Sequence, residues 1–295
     1  MKRVLALLAA FTVAFVLTAC RNEVENSSLT SETTASGQNS DIGESSMISN
    51  GQGHDVDEES DFVPITSSEE YFESKVYFEH SKLALVHYLF HEPIRDTDGS
   101  YPLIIFLHGL GDSVNEWSLG TATQFAESLM LLENESEKYS AYTLVPQTPF
   151  ANEGWWTDEQ LEAFQYLIYD LIENYSIDTK RIYITGISMG GSTTCVLVDT
   201  MPPDTFAAAV PLSGAETLTN PGALHSTAFR IYHSKNDTVV HPEYSRALYK
   251  QLSSSGHPNM EYIEFEYGSH ISPLYSVYTE QRYPFFDWLF AQRLP

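Results

Sequence analysis

Gly186-Ile187-Ser188-Met189-Gly190 places a hydroxyl between two glycines. A serine hydroxyl is a weak nucleophile unless a base takes its proton and the backbone presents it openly. A G-x-S-x-G turn does the second, because a side chain at either glycine would crowd a sharp strand-to-helix bend. The same turn puts the Met189 backbone N–H at a helix N-terminus, where it can stabilise an oxyanion. The pattern arises by chance on the order of once in ten chains of this length, so its setting carries the weight. Here the apolar run Arg181–Thr185 precedes it and a helical stretch from Met189 to Asp199 follows. The implied chemistry is acyl transfer, with Ser188 as candidate nucleophile.

Such a serine needs a histidine base and a carboxylate to orient it. In sheets of alternating strands and helices, ligands meet the carboxyl ends of strands, so residues just after predicted strands come first. Asp237 follows the run Phe229–His233, and His270 follows Tyr262–Tyr267; they are the candidate acid and base. Asp204 and Glu216 are alternative acids placed beside the wrong strand. His108 ends an early strand and is expected to prop the loop after it, while His233 is expected to be structural. His241 begins a helix, His257 turns away before the last strand, and His225 sits in a polar loop. The loop His108-Gly109-Leu110-Gly111-Asp112 is expected to supply a second oxyanion donor, the Leu110 N–H. Trp117, Trp155 and Trp156 fall on neighbouring loops, as an aromatic wall for substrate or equally as core plugs. No His, Cys or Asp cluster has metal-ligand spacing, so neither metal nor cofactor is expected.

Elements of one architecture would position these residues. Tyr101–Leu107 is a continuous apolar run, as is Ala141–Pro146, and runs without alternation belong to strands buried on both faces. Ser74–Glu79 and Leu83–Phe90 read as two short strands before them, and Phe206–Leu212 as a strand after the serine turn. Helices are expected over 121–132, from a Thr157 cap to about Tyr175, over Glu243–Ser253 and over Tyr283–Gln292. Strands alternating with helices imply a doubly wound, mostly parallel α/β sheet with helices on both faces, in one domain spanning 69–295.

The first 68 residues have a different character. Met1-Lys2-Arg3, then an apolar run from Val4 to Val16 and Leu17-Thr18-Ala19-Cys20, read as an export signal over 1–19. Leu-Thr-Ala-Cys resembles the lipobox of bacterial lipoproteins, which implies lipidation of Cys20 and an outward-facing membrane anchor. Residues 21–68 carry ten acidic side chains against one basic and few large apolar groups, as expected of a disordered tether. Lipidation of Cys20 would leave Cys195, the second of two cysteines, without a disulfide partner. The formal net charge of −25 argues against nucleic acid as a partner.

Taken together, "LIIFLHGLGD", "LVPQTP" with "WWTDE", "IDTKRIYITGISMGG", "FAAAVPLSG", "HSKNDTVV" and "YGSH" resemble bacterial α/β-hydrolases of the predicted-peptidase type. These are akin to the phospholipase/carboxylesterase group and to feruloyl-esterase or polyhydroxyalkanoate-depolymerase-like enzymes. The likeness covers roughly residues 100–292. It implies a Ser188–His270–Asp237 triad, an oxyanion hole from Leu110 and Met189, and a carboxylic ester substrate, small or polysaccharide-linked. A serine peptidase and a catalytically silent surface binding protein are the competing readings. His233-Ser234 departs from the His-Gly common in the group, in the loop that carries Asp237.

Overall fold

The computed structural model describes residues 68–79, 84–94, 99–110, 112, 120–148 and 156–295. The strands are β1 (Glu73–Glu79), β2 (Ala84–His91), β3 (Tyr101–Leu107), β4 (Tyr142–Gln147), β5 (Ile177–Ile187), β6 (Ala208–Leu212), β7 (Ala228–Ser234) and β8 (Met260–Phe265). They form one sheet in the order β1-β2-β4-β3-β5-β6-β7-β8. β2 runs antiparallel to both β1 and β4, and every other neighbouring pair is parallel. The longer helices are α1 (Gly120–Glu135), α2 (Asp158–Asn174), α3 (Met189–Thr200), α4 (Glu243–Ser254) and α5 (Arg282–Phe290). Among the described residues no helix is long and apolar enough to cross a membrane.

The apolar run of β3 explains the layering. Leu103, Ile105 and Leu107 point to a core shared with Phe164 and Leu167 of α2, Leu197 of α3 and Leu248 of α4. Ile104 and Phe106 point to the other, shared with Phe125 and Leu129 of α1 and Phe286 of α5. Alternate residues of a strand face opposite sides, so a strand buried on both has no polar positions to spare. α2 begins at a reciprocal cap: Thr157 Oγ1 accepts from Gln160 N–H (3.2 Å) while Gln160 Oε1 accepts from Thr157 N–H (3.0 Å).

Most element boundaries shift by one to three residues from the sequence reading, and two strand ends and one added element are informative. β5 starts at Ile177 rather than Arg181, because Tyr101 pairs with Ile177 before the register shifts to Leu103–Ile182. The polar stretch Asp178-Thr179-Lys180 conceals that start. β8 ends at Phe265 rather than Tyr267, being an edge strand whose residues are mostly half-exposed on both faces and therefore lack a sharp periodicity. A short helix (Ser272–Tyr275) and a π-helical turn (Ser276–Glu280) follow the His270 loop, where no element was expected. Tyr278 accounts for that turn: it is fully buried among Phe106, Phe125 and Phe285, and its hydroxyl lies 2.6 Å from Thr185 Oγ1.

A buried polar cluster fixes the entrance to the sheet. The His91 ring lies between the Tyr71 carbonyl (Nδ1, 2.9 Å) and the Glu133 carboxylate (Nε2, 2.9 Å), and Ile94 N–H donates to the other Glu133 oxygen at 3.1 Å. Glu133 is 1% exposed. Removing one partner of a buried pair strands the other without compensation, so Glu133→Ala is expected to cost about 3–5 kcal/mol, measured by urea unfolding against the parent chain.

Both ends of the folded chain lie at the amino end of the parallel strands. β1 begins with Glu73 opposite Phe90, and the next residue of β2, His91, pairs with Thr143 near the start of β4. At the other terminus Leu294 N–H donates to the Lys180 carbonyl at 3.0 Å, and Arg293 bonds Asp178 at 2.7 Å, both early in β5.

Candidate active site

The end of β5 carries Ser188 into a conformation that L residues avoid. Its φ is 59° and its ψ −118°, between the last residue of β5 and the first of α3. Such a backbone costs of order 1–3 kcal/mol and persists only where the surroundings dictate it. Here Ser188 N–H donates to the Leu212 carbonyl of β6 at 2.9 Å, and the flanking glycines let β3 close in. A Cβ on Gly190 would lie 2.0 Å from the Leu107 carbonyl oxygen, and one on Gly186 would lie 2.6 Å from the same atom. These glycines are required by backbone contact, not by flexibility. Gly190→Ala is expected to destabilise the fold by ~3 kcal/mol or more through overpacking and to remove activity, as thermal melting and ester turnover together would show.

β7 carries the candidate acid. Asp237 is buried, with Oδ1 accepting from Val239 N–H (2.8 Å) and Val240 N–H (3.0 Å). Oδ2 accepts from His270 Nδ1 at 2.7 Å and from His233 Nε2 at 3.1 Å. Burial alone would raise the carboxyl pKa, but hydrogen bonds from His233 and His270, with the His270 charge, outweigh it and hold it well below the usual carboxylate range. The folded value lies below that of an unfolded aspartate, about 3.9. The contribution to stability is thus complete above that pH and is lost as the pH falls towards the depressed value.

The structure therefore brings Asp237 and His270 together as expected. His270 is 7% exposed, and its second nitrogen, Nε2, is buried with no hydrogen-bond partner. The bond from Ser188 to His270 is accordingly not made in this conformation; resting-state contacts of this kind often tighten only with substrate. Asp204 and Glu216 are exposed, on the turn before β6 and the loop after it, and His270 is bonded to neither.

The loop after β3, the candidate for an oxyanion donor, is braced from two sides. Thr148 N–H donates to His108 Nε2 at 3.1 Å, which fixes the ring proton on Nδ1, and Nδ1 donates to the Gly109 carbonyl at 2.7 Å. Burial lowers the His108 pKa and favours this neutral form. From the other side Gly109 N–H donates to Thr121 Oγ1 (3.3 Å), whose hydroxyl donates to Asp112 Oδ2 (2.6 Å). The Gly109 N–H is thus engaged, consistent with Leu110 as the donor, and a Cβ on Gly109 would lie 3.8 Å from Ser188 Cβ. Met189 opens α3, and the first N–H groups of a helix have no partner within it.

The remaining expectations divide. Trp156 stacks on Phe164 of α2 at 5.9 Å and packs against the core, the plug alternative. Trp117, Trp155, Gly111 and Cys20 lie outside the described residues, as do the signal and most of the tether. Cys195 is buried, and burial pushes its thiol up to about 12, leaving it inert. His257 bonds the Leu224 carbonyl, away from the site. The contact that sequence reasoning missed is His233 with Asp237; four residues apart across a strand end and a turn, their pairing has no periodic signature.

The prolyl oligopeptidase family model matches residues 149–221, a stretch that spans α2 to the loop after β6 and includes Ser188. Feruloyl esterase B of Neurospora crassa is 23% identical over 221 residues, 56% of this chain and 72% of that protein. A thermostable esterase of known structure superposes with a TM-score of 0.64 at 27% identity, over 76% of this chain and 64% of its own. This chain thus spans less than two thirds of that enzyme. A ferulic acid esterase from Anaeromyces mucronatus, solved with ferulic acid, gives a TM-score of 0.57 at 16% identity, covering 75% and 90% respectively. With a serine turn after β5 of a mostly parallel eight-stranded sheet, these likenesses show that the chain has the α/β-hydrolase fold.

Proposed function

We propose that this α/β-hydrolase is a serine ester hydrolase that works through an acyl-enzyme on Ser188. The observation that carries the reading is the Asp237–His270 bond of 2.7 Å, which fixes the His270 proton on Nδ1 and leaves Nε2 a lone pair with no other partner. Ser188 Oγ attacks the ester carbonyl as His270 Nε2 takes its proton. The oxyanion so formed accepts from the Leu110 and Met189 amides, and Asp237 stabilises the imidazolium. The imidazolium then protonates the departing alcohol as the carbon–oxygen bond breaks. Water, deprotonated by the same nitrogen, releases the acid and restores Ser188.

The likeness to feruloyl esterases supports small or polysaccharide-linked esters as substrates, with feruloyl and acetyl groups first. The test is labelling of the full chain by a fluorophosphonate, together with hydrolysis of p-nitrophenyl acetate and methyl ferulate. Labelling with ester turnover is the expected result; a folded chain that shows neither would leave the fold without this chemistry. The match to the prolyl oligopeptidase family favours one second reading, cleavage of peptide bonds by the same residues. Peptide anilides turned over faster than the esters would put it first.

We further propose that export and lipidation at Cys20 hold the enzyme on a membrane, facing outward. The motif at residues 17–20 supports this. Cys20→Ser is expected to move the protein out of the membrane fraction with its esterase activity unchanged, as fractionation and immunoblotting would show.

A further inference from the structure

Asp237 Oδ2 serves two imidazoles, and the mechanism above uses one. His233, at the end of β7, is 0% exposed. Its Nε2 lies 3.1 Å from Asp237 Oδ2 and 3.0 Å from the Val240 carbonyl, two oxygens that only accept, so Nε2 carries a proton. Its Nδ1 lies 2.7 Å from the hydroxyl of Ser245, a fully buried residue of α4 that can donate to it. A chain of hydrogen bonds thus runs from Ser245 through His233 and Asp237 to His270, with each proton placed by its neighbour. Of the charged groups beside His233 on the flanking elements, Arg246 of α4 bonds Glu264, the β8 residue paired with His233, at 2.7 Å, and Glu243, while Lys235 bonds Glu266 at 2.8 Å.

We infer that His233 is a positioning residue for the Asp237–His270 pair, pinning the shared carboxylate oxygen and drawing charge from it. This rests on the esterase reading above and deepens it. The Oδ1 contacts to Val239 and Val240 fix one end of the carboxylate, and His233 with His270 fixes the other. Without His233 the carboxylate is held at Oδ2 by His270 alone and can turn about its Oδ1 contacts. Charge now shared between two donors would then fall on one, so the His270 imidazolium would be better stabilised and would keep its proton to higher pH.

The test compares the full chain with its His233→Leu, His233→Gln and Ser245→Ala variants. It measures kcat, KM and the pH profile of p-nitrophenyl acetate hydrolysis, and the low-field proton resonance of His270 Nδ1–H as a function of pH. His233→Leu is expected to lower kcat roughly 10- to 100-fold, leave KM within about twofold, and move the acid limb of kcat/KM to higher pH by ~0.5–1. His233→Gln, which keeps an N–H near the Nε2 position, should recover most of kcat. Should His233→Leu fail to fold, Ser245→Ala carries the test, with a several-fold loss of kcat and a smaller movement in the same direction. Folded variants with a parental kcat and acid limb would overturn the inference. So would a glutamine variant as impaired as leucine with the acid limb unmoved. If the parent neither hydrolyses esters nor takes the label, the esterase reading fails, while the resonance still reports whether His233 governs protonation of His270.

Discussion

Ser188→Ala is expected to lower kcat/KM for esters by ~10⁴–10⁶-fold while leaving the melting temperature close to that of the parent. The size of the loss follows from the chemistry, since without Oγ there is no atom to carry the acyl group. His270 and the oxyanion amides then retain only their weaker effect on a direct attack by water. Stability is spared because the Ser188 side chain makes no capping bond to α3, and alanine meets the same strain at a φ of 59°. Ser188→Gly should be equally inactive and about 1 kcal/mol more stable than the alanine variant, since glycine adopts positive φ without penalty. Steady-state kinetics, adduct mass after fluorophosphonate treatment and thermal melts of the three chains decide the matter. An alanine variant keeping more than about a tenth of parental turnover would remove Ser188 from the mechanism.

The second large effect is expected at Asp237, the proposed acid. Asp237→Asn preserves shape and keeps an oxygen for the Val239 and Val240 amides, but it turns an NH₂ group towards His233 and His270. Two donors then face two donors. His270 escapes only by accepting at Nδ1 and carrying its proton on Nε2, the nitrogen that must be unprotonated to act as base. A fall in kcat of ~10³–10⁴-fold is expected, with a stability loss of about 2–3 kcal/mol for the unsatisfied buried groups. Kinetics at fixed pH and urea unfolding measure the two separately. A parental kcat in Asp237→Asn would assign the acid elsewhere, with Glu216 the next carboxylate to replace.

How much of this was legible in the sequence depended on how each element is buried. β3 and β4 have both faces covered, so their apolar runs announced them to within a residue. β8 is an edge, and the opening of β5 is polar, so neither boundary could be read from hydrophobicity. The order and placement of Ser188, Asp237 and His270 were visible because each follows a strand at the same end of a parallel sheet. The double imidazole on Asp237 was not, because it depends on how the turn 234–237 folds back on β7, where Asp237 N–H donates to the Ser234 carbonyl at 3.1 Å. His108 was correctly expected to prop its loop, yet its partner, Thr148 N–H, is forty residues distant and only the sheet order brings it there. His91 and Glu133 gave no signal at all: nothing in the spacing of 42 residues reveals a buried contact.

The ends of the folded segment and the three candidate side chains lie at opposite ends of the strands. Ser188, Asp237 and His270 gather at the carboxyl ends of the strands, whereas the chain enters at Glu73 and leaves at Leu294 beside the opposite ends. Glu73 and Leu294 thus lie about a strand's length away from the three side chains, on the far side of the sheet's long axis. Bulky insoluble material can then approach the three side chains without competing for space with whatever lies at the opposite ends. For the same reason a bead grafted beside Leu294 would leave Ser188, Asp237 and His270 turned towards solution.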